Sequence, residues 1–277
     1  MKVLVTGAGG ALGSVVVGQL TAEGHEVRAH DRKPGTAEVT GDLTDPAHVR
    51  EIVTDVDAVV HAAAIPSPLD YPDGEIFHNN VRSTYAVLDT AGRAGVGRVV
   101  NVSSASAVGI AWSQLGVSPL SVPVSEEHPY VGEDVYGLSK QIGEVIAAAT
   151  GRRWPTSFGS LPVPFIGTGE RLQVHLRRIH EDHAVDTGGL WAWLDMRDAA
   201  RAVLAALTAP LTGHHIVNVA APDTTALLPT RELLRRYHPS ARVDRELGEF
   251  ESLYATGRSR ELLGFRPVHG WRGEGAR

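Results

Sequence analysis

Short unbroken apolar runs alternate, over the first 160 residues, with longer stretches in which apolar positions recur every three or four residues. Val3-Leu4-Val5 is continuous and partly β-branched, as a strand buried on both faces requires. Leu12, Val15, Val16 and Leu20 then fall at helical spacing. The same alternation predicts strands at 26–30, 38–40, 56–61, 98–103 and 156–161. Between them it predicts a helix opened by Asp45-Pro46 and carrying Val49, Ile52 and Val53, a long helix over about 75–94, and another over about 133–149. Residues 65–74 (IPSPLDYPDG) and 105–132 read as loops rich in proline, glycine and serine. Beyond 160 the alternation loosens into a polar helix near 170–182, a strand near 190–194, a helix over 197–207, a strand over 215–220 and a last helix near 259–263. Strands alternating with helices predict an α/β fold, a doubly wound parallel sheet over 1–160, followed by a smaller α/β substrate-binding region over 161–277 that partly rejoins it.

The first strand runs directly into Thr6-Gly7-Ala8-Gly9-Gly10-Ala11-Leu12-Gly13. A strand, a glycine-rich turn and a helix in that order form a Rossmann-like phosphate-binding corner, where free N–H groups and the helix dipole favour a pyrophosphate. Gly7 permits the tight turn, Gly10 the close approach of backbone to the anion, and Gly13 the packing of helix on strand; Ala11 and Leu12 lie between. Asp31, at the end of the second strand, is placed to accept the ribose hydroxyls of NAD and to repel a 2′-phosphate. Arg32 and Lys33 beside it can hold that phosphate, so NADP stays open behind NAD. Asp42 is placed for the adenine amine, next to Leu43, and Ala62, Ala63 and Ala64 are small enough for a cofactor to lie against.

Composition narrows the function. A net charge of −6 and a pI near 6.1 give no electrostatic case for nucleic acid or anionic membrane. The absence of cysteine excludes thiolate catalysis, disulfides and cysteine–zinc sites. The thirteen histidines show no metal spacing, and His175, His180 and His183 are expected at the surface. No run is long enough to span a bilayer, and a soluble cytoplasmic protein is expected. Only Lys2, Lys33 and Lys140 are lysines in a chain that otherwise uses arginine.

Lys140 follows Tyr136 by four residues on a predicted helix, one turn along the same face. A phenol of pKa about 10 is too weak an acid to serve as a base at neutral pH, but a neighbouring ammonium lowers it. Ser104, at the end of the preceding strand, can donate to a substrate oxygen. Glycine corner, strand ending in Ser103-Ser104, and Tyr-x3-Lys in this order resemble the extended short-chain dehydrogenase/reductase family, also called NAD-dependent epimerase/dehydratases. The resemblance covers about 1–220, and the late SRELLGF matches the family's last helix. It implies Tyr136 as acid/base, Lys140 as its modulator and ribose ligand, and Ser104 rather than Ser103 as the catalytic serine. It also implies that Gly7, Gly10, Gly13, Asp31, Asp42 and Asn80 (within NNVRSTYAVLDTA) bind cofactor. A homodimer through the helices at 75–94 and 133–149 is a further expectation.

The chain departs from the family pattern where nucleotide-sugar members carry a diphosphate-binding arginine before a late strand: Trp191 stands there, in WAWLDMRD. This favours a smaller hydroxylated substrate such as a free sugar or sugar acid. Arg171, Arg177 and Arg178 are candidate anion ligands, or a solvated helix face. Trp112, Trp191 and Trp193 are candidates to stack on a sugar, or core residues. Three activities remain open at this stage: a dehydrogenase or reductase acting at a secondary alcohol or ketone, a nucleotide-sugar epimerase or dehydratase that keeps its NAD, and a non-catalytic cofactor sensor.

Overall fold

A computed structural model describes residues 1–272. In chain order the elements are β1 (Lys2–Thr6), α1 (Ala11–Ala22), β2 (Glu26–Asp31), β3 (Val39–Thr40), α2 (Pro46–Val53), β4 (Ala58–His61), α3 (Asp73–Arg93), β5 (Arg98–Ser104), β6 (Ser121–Val122), α4 (Val135–Arg153), β7 (Ser157–Val163), β8 (Phe165–Gly167), α5 (Gly169–Glu181), β9 (Trp193–Asp195), α6 (Met196–Thr208), β10 (His214–Ile216), α7 (Thr230–Tyr237), β11 (Arg242–Val243) and α8 (Gly257–Leu263). Single 3₁₀ turns occupy Ala105–Val108 and His183–Asp186.

Seven parallel strands form one sheet in the order β10-β7-β5-β4-β1-β2-β3. The strand order reverses between β1 and β4, which places a crevice beyond the carboxyl ends of those two strands. The unbroken apolar runs have a direct cause in the two covered faces. Val3 and Val5 point into a core shared with Val16 and Leu20 of α1 and with Ala199 and Val203 of α6. Leu4 points the other way, onto Val49 and Ile52 of α2 and Val87 and Leu88 of α3. Helix starts follow local chemistry. Asp45 caps α2, its Oδ1 accepting from the Ala47 N–H at 2.9 Å with Pro46 in the first turn, and Asp134 caps α4 by accepting from the Gly137 N–H at 2.6 Å.

The chain after β7 both rejoins this sheet and builds a separate layer. β10 pairs with β7, and α6 packs beside α1. β8 pairs with β9, β6 with β11, and a third core forms from Ile179, Leu190, Trp191, Leu233, Leu253 and Tyr254. The strand expected over 190–194 is shorter and shifted to Trp193–Asp195. Leu190 (φ 54°) and Trp191 (φ 52°) are instead wound left-handed, both fully buried. The strand expected over 215–220 is confined to His214–Ile216. Asp198, fully buried at the start of α6, anchors the segment after α8. It accepts from Arg201 at 2.6 Å and from the backbone N–H groups of Val268 and His269 at 2.9 and 2.8 Å. Among the described residues no helix is long and apolar enough to cross a membrane.

Candidate functional site

A cavity of about 740 Å³ runs along the carboxyl ends of the central strands, from the glycine corner after β1 to the face of α5. At its first end Gly7 takes a positive φ of 72°, and a Cβ there would lie 2.7 Å from the Ala63 backbone nitrogen. A Cβ at Gly13 would lie 2.0 Å from the Gly7 carbonyl oxygen. Only hydrogen fits at either place, so β1, α1 and the turn after β4 close on one another. Gly10 donates its N–H to Gly7 at 3.0 Å and N-caps α1 without a side-chain cap. The first N–H groups of α1 therefore have no intrahelical acceptor, and Gly10, Ala11, Leu12 and Gly13 all face the cavity. A cradle that a Cβ would fill, facing a helix N-terminus, fits a dinucleotide pyrophosphate.

Asp31 closes β2 at this wall. Its Oδ2 accepts from the Gly9 N–H and its Oδ1 from the Lys33 N–H, each at 3.0 Å, so the carboxylate also ties the glycine corner to β2. Arg32 donates to the Tyr71 hydroxyl at 3.1 Å, reaching the loop after β4. Asp42 accepts from the Thr44 N–H at 2.7 Å, which holds its carboxyl below the usual carboxylate range, and Leu43 lines the cavity beside it. Ala62, Ala63 and Ala64 line the opposite wall. Asn80, expected among the cofactor-facing residues, is not among the residues lining the cavity. Its carboxamide is buried, accepting from the Ile65 N–H at 2.8 Å and donating to the Ile65 carbonyl at 3.1 Å and to Ser139 Oγ at 3.2 Å. It fixes the turn after β4 from behind, while Asn79 and Ser83 face the cavity.

Ser104, Tyr136 and Lys140 meet at the middle of the cavity. Ser104 ends β5 and accepts the Ser106 N–H at 3.1 Å, which turns the chain away from the sheet. Tyr136 and Lys140 stand one turn apart on α4, with Lys140 Nζ 5.9 Å from the Tyr136 ring centroid and donating to the Val102 carbonyl at 3.1 Å. Burial pushes the Tyr136 phenol up to about 12, against a downward pull from the Ser104 hydroxyl. Burial brings Lys140 down to about 8, partly opposed by the charge of Glu144. Glu144, one further turn along α4, accepts from Ser103 Oγ at 2.5 Å and is itself pushed up to about 7 by burial. Sequence reading passed over Glu144, although the spacing Tyr-x3-Lys-x3-Glu sets all three on one helix face. Behind them His61 is held neutral, its ring nitrogens 2.9 Å from the Thr6 hydroxyl and 3.2 Å from the Thr84 hydroxyl. Burial, with the charges of Lys140 and His30, takes it down to about 3.

The far end is built from residues after 160, together with Trp112. Arg171 and Arg178 reach the cavity wall and Arg177 does not. His175 also lines it, stacked on Phe165 with centroids 3.6 Å apart, and burial lowers it to about 4. Of the three histidines expected at the surface, His175 is instead packed on Phe165, while His180, 3.1 Å from the Thr225 carbonyl, and His183, 3.3 Å from the Leu227 N–H, are partly exposed. Asp186, unnoticed in the sequence, lines the same wall and is pushed up to about 7 by burial. Trp191 and Trp193 are core residues, 0% and 1% exposed, donating to the His183 carbonyl at 2.8 Å and to Asp223 at 3.0 Å. No cluster of metal-ligating side chains occurs among the described residues.

The sequence model of the NAD dependent epimerase/dehydratase family matches residues 3–220. A UDP-glucose 4-epimerase of Corynebacterium glutamicum is 26% identical over 97% of this chain and 92% of its own. A uronate dehydrogenase of Pseudomonas putida is 28% identical over 81% of this chain and 78% of its own. Against two other curated relatives the matched stretch spans only 36% and 46% of the relative's length. Among solved structures, a short-chain dehydrogenase/reductase superfamily protein of Agrobacterium tumefaciens, with bound NAD, shares the fold. Its TM-score is 0.72 at 22% identity, over 98% of this chain and 93% of that one. With the family model covering most of its length, the chain belongs to the NAD-dependent epimerase/dehydratase family of enzymes.

Proposed function

We propose that the protein is an NAD-dependent oxidoreductase that moves hydride at a secondary alcohol or ketone of a sugar-like hydroxylated small molecule, with Tyr136 as acid/base. The observation that carries this reading is the convergence of Ser104, Tyr136 and Lys140 on one cavity with the glycine corner. Bound NAD would supply the hydride acceptor, and its cationic ring would lower the phenol's affinity for its proton. In the oxidative direction Tyr136 takes the hydroxyl proton as the C–H hydride departs, and Ser104 donates to the substrate oxygen. In the reductive direction Tyr136 returns the proton. Lys140 stands close enough for its ammonium to stabilise the phenolate, and Glu144 keeps that ammonium charged. Asp31 accounts for NAD rather than NADP, and residues 161–277 supply the substrate side.

A second reading, a nucleotide-sugar epimerase that recycles hydride on retained NAD, uses the same three residues and has the full-length epimerase relative in its favour. Trp191 speaks against it: where such members hold diphosphate with arginine, this chain buries an indole. The test is NADH formation by the purified protein on free and nucleotide-linked sugars. Tyr136→Phe is expected to lower kcat about 10²–10⁴-fold, and near-native turnover would remove the acid/base role. Retained NAD with sugar interconversion and no net absorbance change would select the second reading. The chain is further proposed to be cytoplasmic and to form a homodimer across α3 and α4, whose Tyr85 and Val145 are about half exposed, at 52% and 55%. A monomer mass by light scattering would overturn the dimer.

A further inference from the structure

We propose that the α5 face formed by Arg171, His175 and Arg178 is an anion-binding wall, and that the substrate carries a carboxylate or phosphate group there, with Asp186 positioning His175 to receive it. This rests on the reading of the cavity as an alcohol-oxidising site and names the class of substrate.

The three residues follow one another at intervals of four and three, which sets them along one stripe of a helix. All three line the cavity, at the end remote from the glycine corner, whereas Arg177 of the same helix does not. Their side chains are held differently. Arg171 donates Nε–H to the Ile166 carbonyl at 2.8 Å and lies over the Phe165 ring, 5.2 Å from its centroid, which leaves its terminal nitrogens for a ligand. His175 is clamped face to face on the same ring. The Arg178 side chain makes no hydrogen bond or close ion pair among the described residues, and its charge acts on Asp186, which it pulls down, and on His175.

The imidazole is oriented from behind. His175 Nε2 and Asp186 Oδ2 lie 3.9 Å apart, both closed to solvent and without a hydrogen-bond partner. With Nε2 turned to Asp186, Nδ1 is the nitrogen left for the cavity. Gly189 makes room for the carboxyl, since a Cβ there would lie 2.3 Å from Asp186 Oδ1. Burial, and then the charges of Arg178 and Arg171, disfavour a charged imidazole. An arriving anion offsets the charges of Arg171 and Arg178, which both oppose an imidazolium at His175 and the second of which holds Asp186 down, so anion binding takes up a proton at the His175–Asp186 pair. An uncharged hydroxymethyl group at the same place would leave the two guanidinium groups unmatched.

The probes are D-glucose, D-glucuronate and D-glucose 6-phosphate, which differ at one carbon, with acetate and inorganic phosphate as minimal anions. Each is titrated calorimetrically into NAD-saturated Tyr136→Phe protein, in two buffers of different ionisation enthalpy. At least one sugar anion is expected to bind tenfold or more tighter than D-glucose, with proton uptake, and the matching minimal anion is expected to compete. A preference for glucuronate with acetate marks a carboxylate substrate, and one for glucose 6-phosphate with phosphate a phosphorylated one. Arg178→Gln is expected to reduce the preference at least tenfold, and Asp186→Asn to abolish the proton uptake, while the NAD dissociation constant reports that both variants are folded. The inference falls if D-glucose binds as tightly as both anions, if no anion binds, or if Arg178→Gln keeps the preference. Tyr136-dependent turnover without anion preference overturns this inference alone. Anion binding without any Tyr136-dependent hydride transfer overturns the proposed reaction alone.

Discussion

At the scale of single residues, the catalytic cluster sets groups against their preferred charge. With the phenol raised to about 12 and the ammonium lowered to about 8, the phenolate and the ammonium are both penalised by the same dry surroundings. Glu144 and the Val102 carbonyl are the local features that favour the ammonium. His61, on the neighbouring strand β4, adds a stability term that can be measured. Its folded value near 3 lies below the 6.5 of an unperturbed histidine. Its contribution is therefore complete above pH 6.5 and is lost as the pH falls toward 3, because the unfolded chain takes the proton first. The loss amounts to about 3 kcal/mol by pH 4.5. His61→Gln can keep bonds to Thr6 and Thr84 but cannot titrate. The stability difference between wild type and His61→Gln in denaturant melts is expected to shift by that amount between pH 7 and 4.5. A pH-independent difference would show that His61 does not stay neutral.

Elements show where the sequence was legible and where it was not. β1, β4 and β5 announced themselves because each is covered on both faces, which gives them the unbroken apolar runs Val3–Val5, Ala58–Val60 and Val99–Val100. α2 was legible from Asp45-Pro46 and α4 from the stretch about 133–149 that carries Tyr136 and Lys140. The first part of the LWAWL run failed as a strand because its burial comes from a turn, and only Trp193-Leu194 joins β9. Leu190 and Trp191 are wound left-handed to bury both side chains in the third core, and apolar pattern alone does not distinguish these cases. α7 passed unread because its core-facing residues reduce to Thr230, Leu233 and Leu234 on an otherwise charged segment behind Pro229. The glycine corner is the most demanding element. Gly13→Ala drives a methyl into the Gly7 carbonyl, and is expected to destabilise the fold by about 1–3 kcal/mol and to weaken NAD binding at least tenfold. Unchanged cofactor affinity by fluorescence titration would show that the corner relaxes without cost.

On the scale of the whole molecule, the cavity joins two parts of the chain with different legibility. Its first wall depends on short local motifs, which is why Gly7, Gly10, Gly13, Asp31, Ser104, Tyr136 and Lys140 could be picked out singly. Its second wall brings together Phe165, Arg171, His175, Arg178, Asp186 and Tyr254 by long-range packing. No local spacing declared that Asp186 would lie beside His175. Asp198 ties the last described segment to α6 through two backbone N–H groups and Arg201. Asp198→Ala leaves those donors buried and unmatched, and is expected to cost about 3 kcal/mol. A lowered thermal midpoint with early proteolysis near 265–272 would be the signature, and a native midpoint would rule it out.

The left-handed pair Leu190–Trp191 bears on how the substrate range could be redesigned. Two consecutive non-glycine residues held in this conformation store on the order of 1–3 kcal/mol each, and the enclosing core keeps them there. Gly188, Gly189 and Ala192, on either side of the pair, line the cavity. Libraries aimed at new substrates would therefore spend most of their members on misfolded protein if they randomised 188–192. The productive positions are 171, 175 and 178, on a regular helix, where side chains can be exchanged without moving the backbone that carries them.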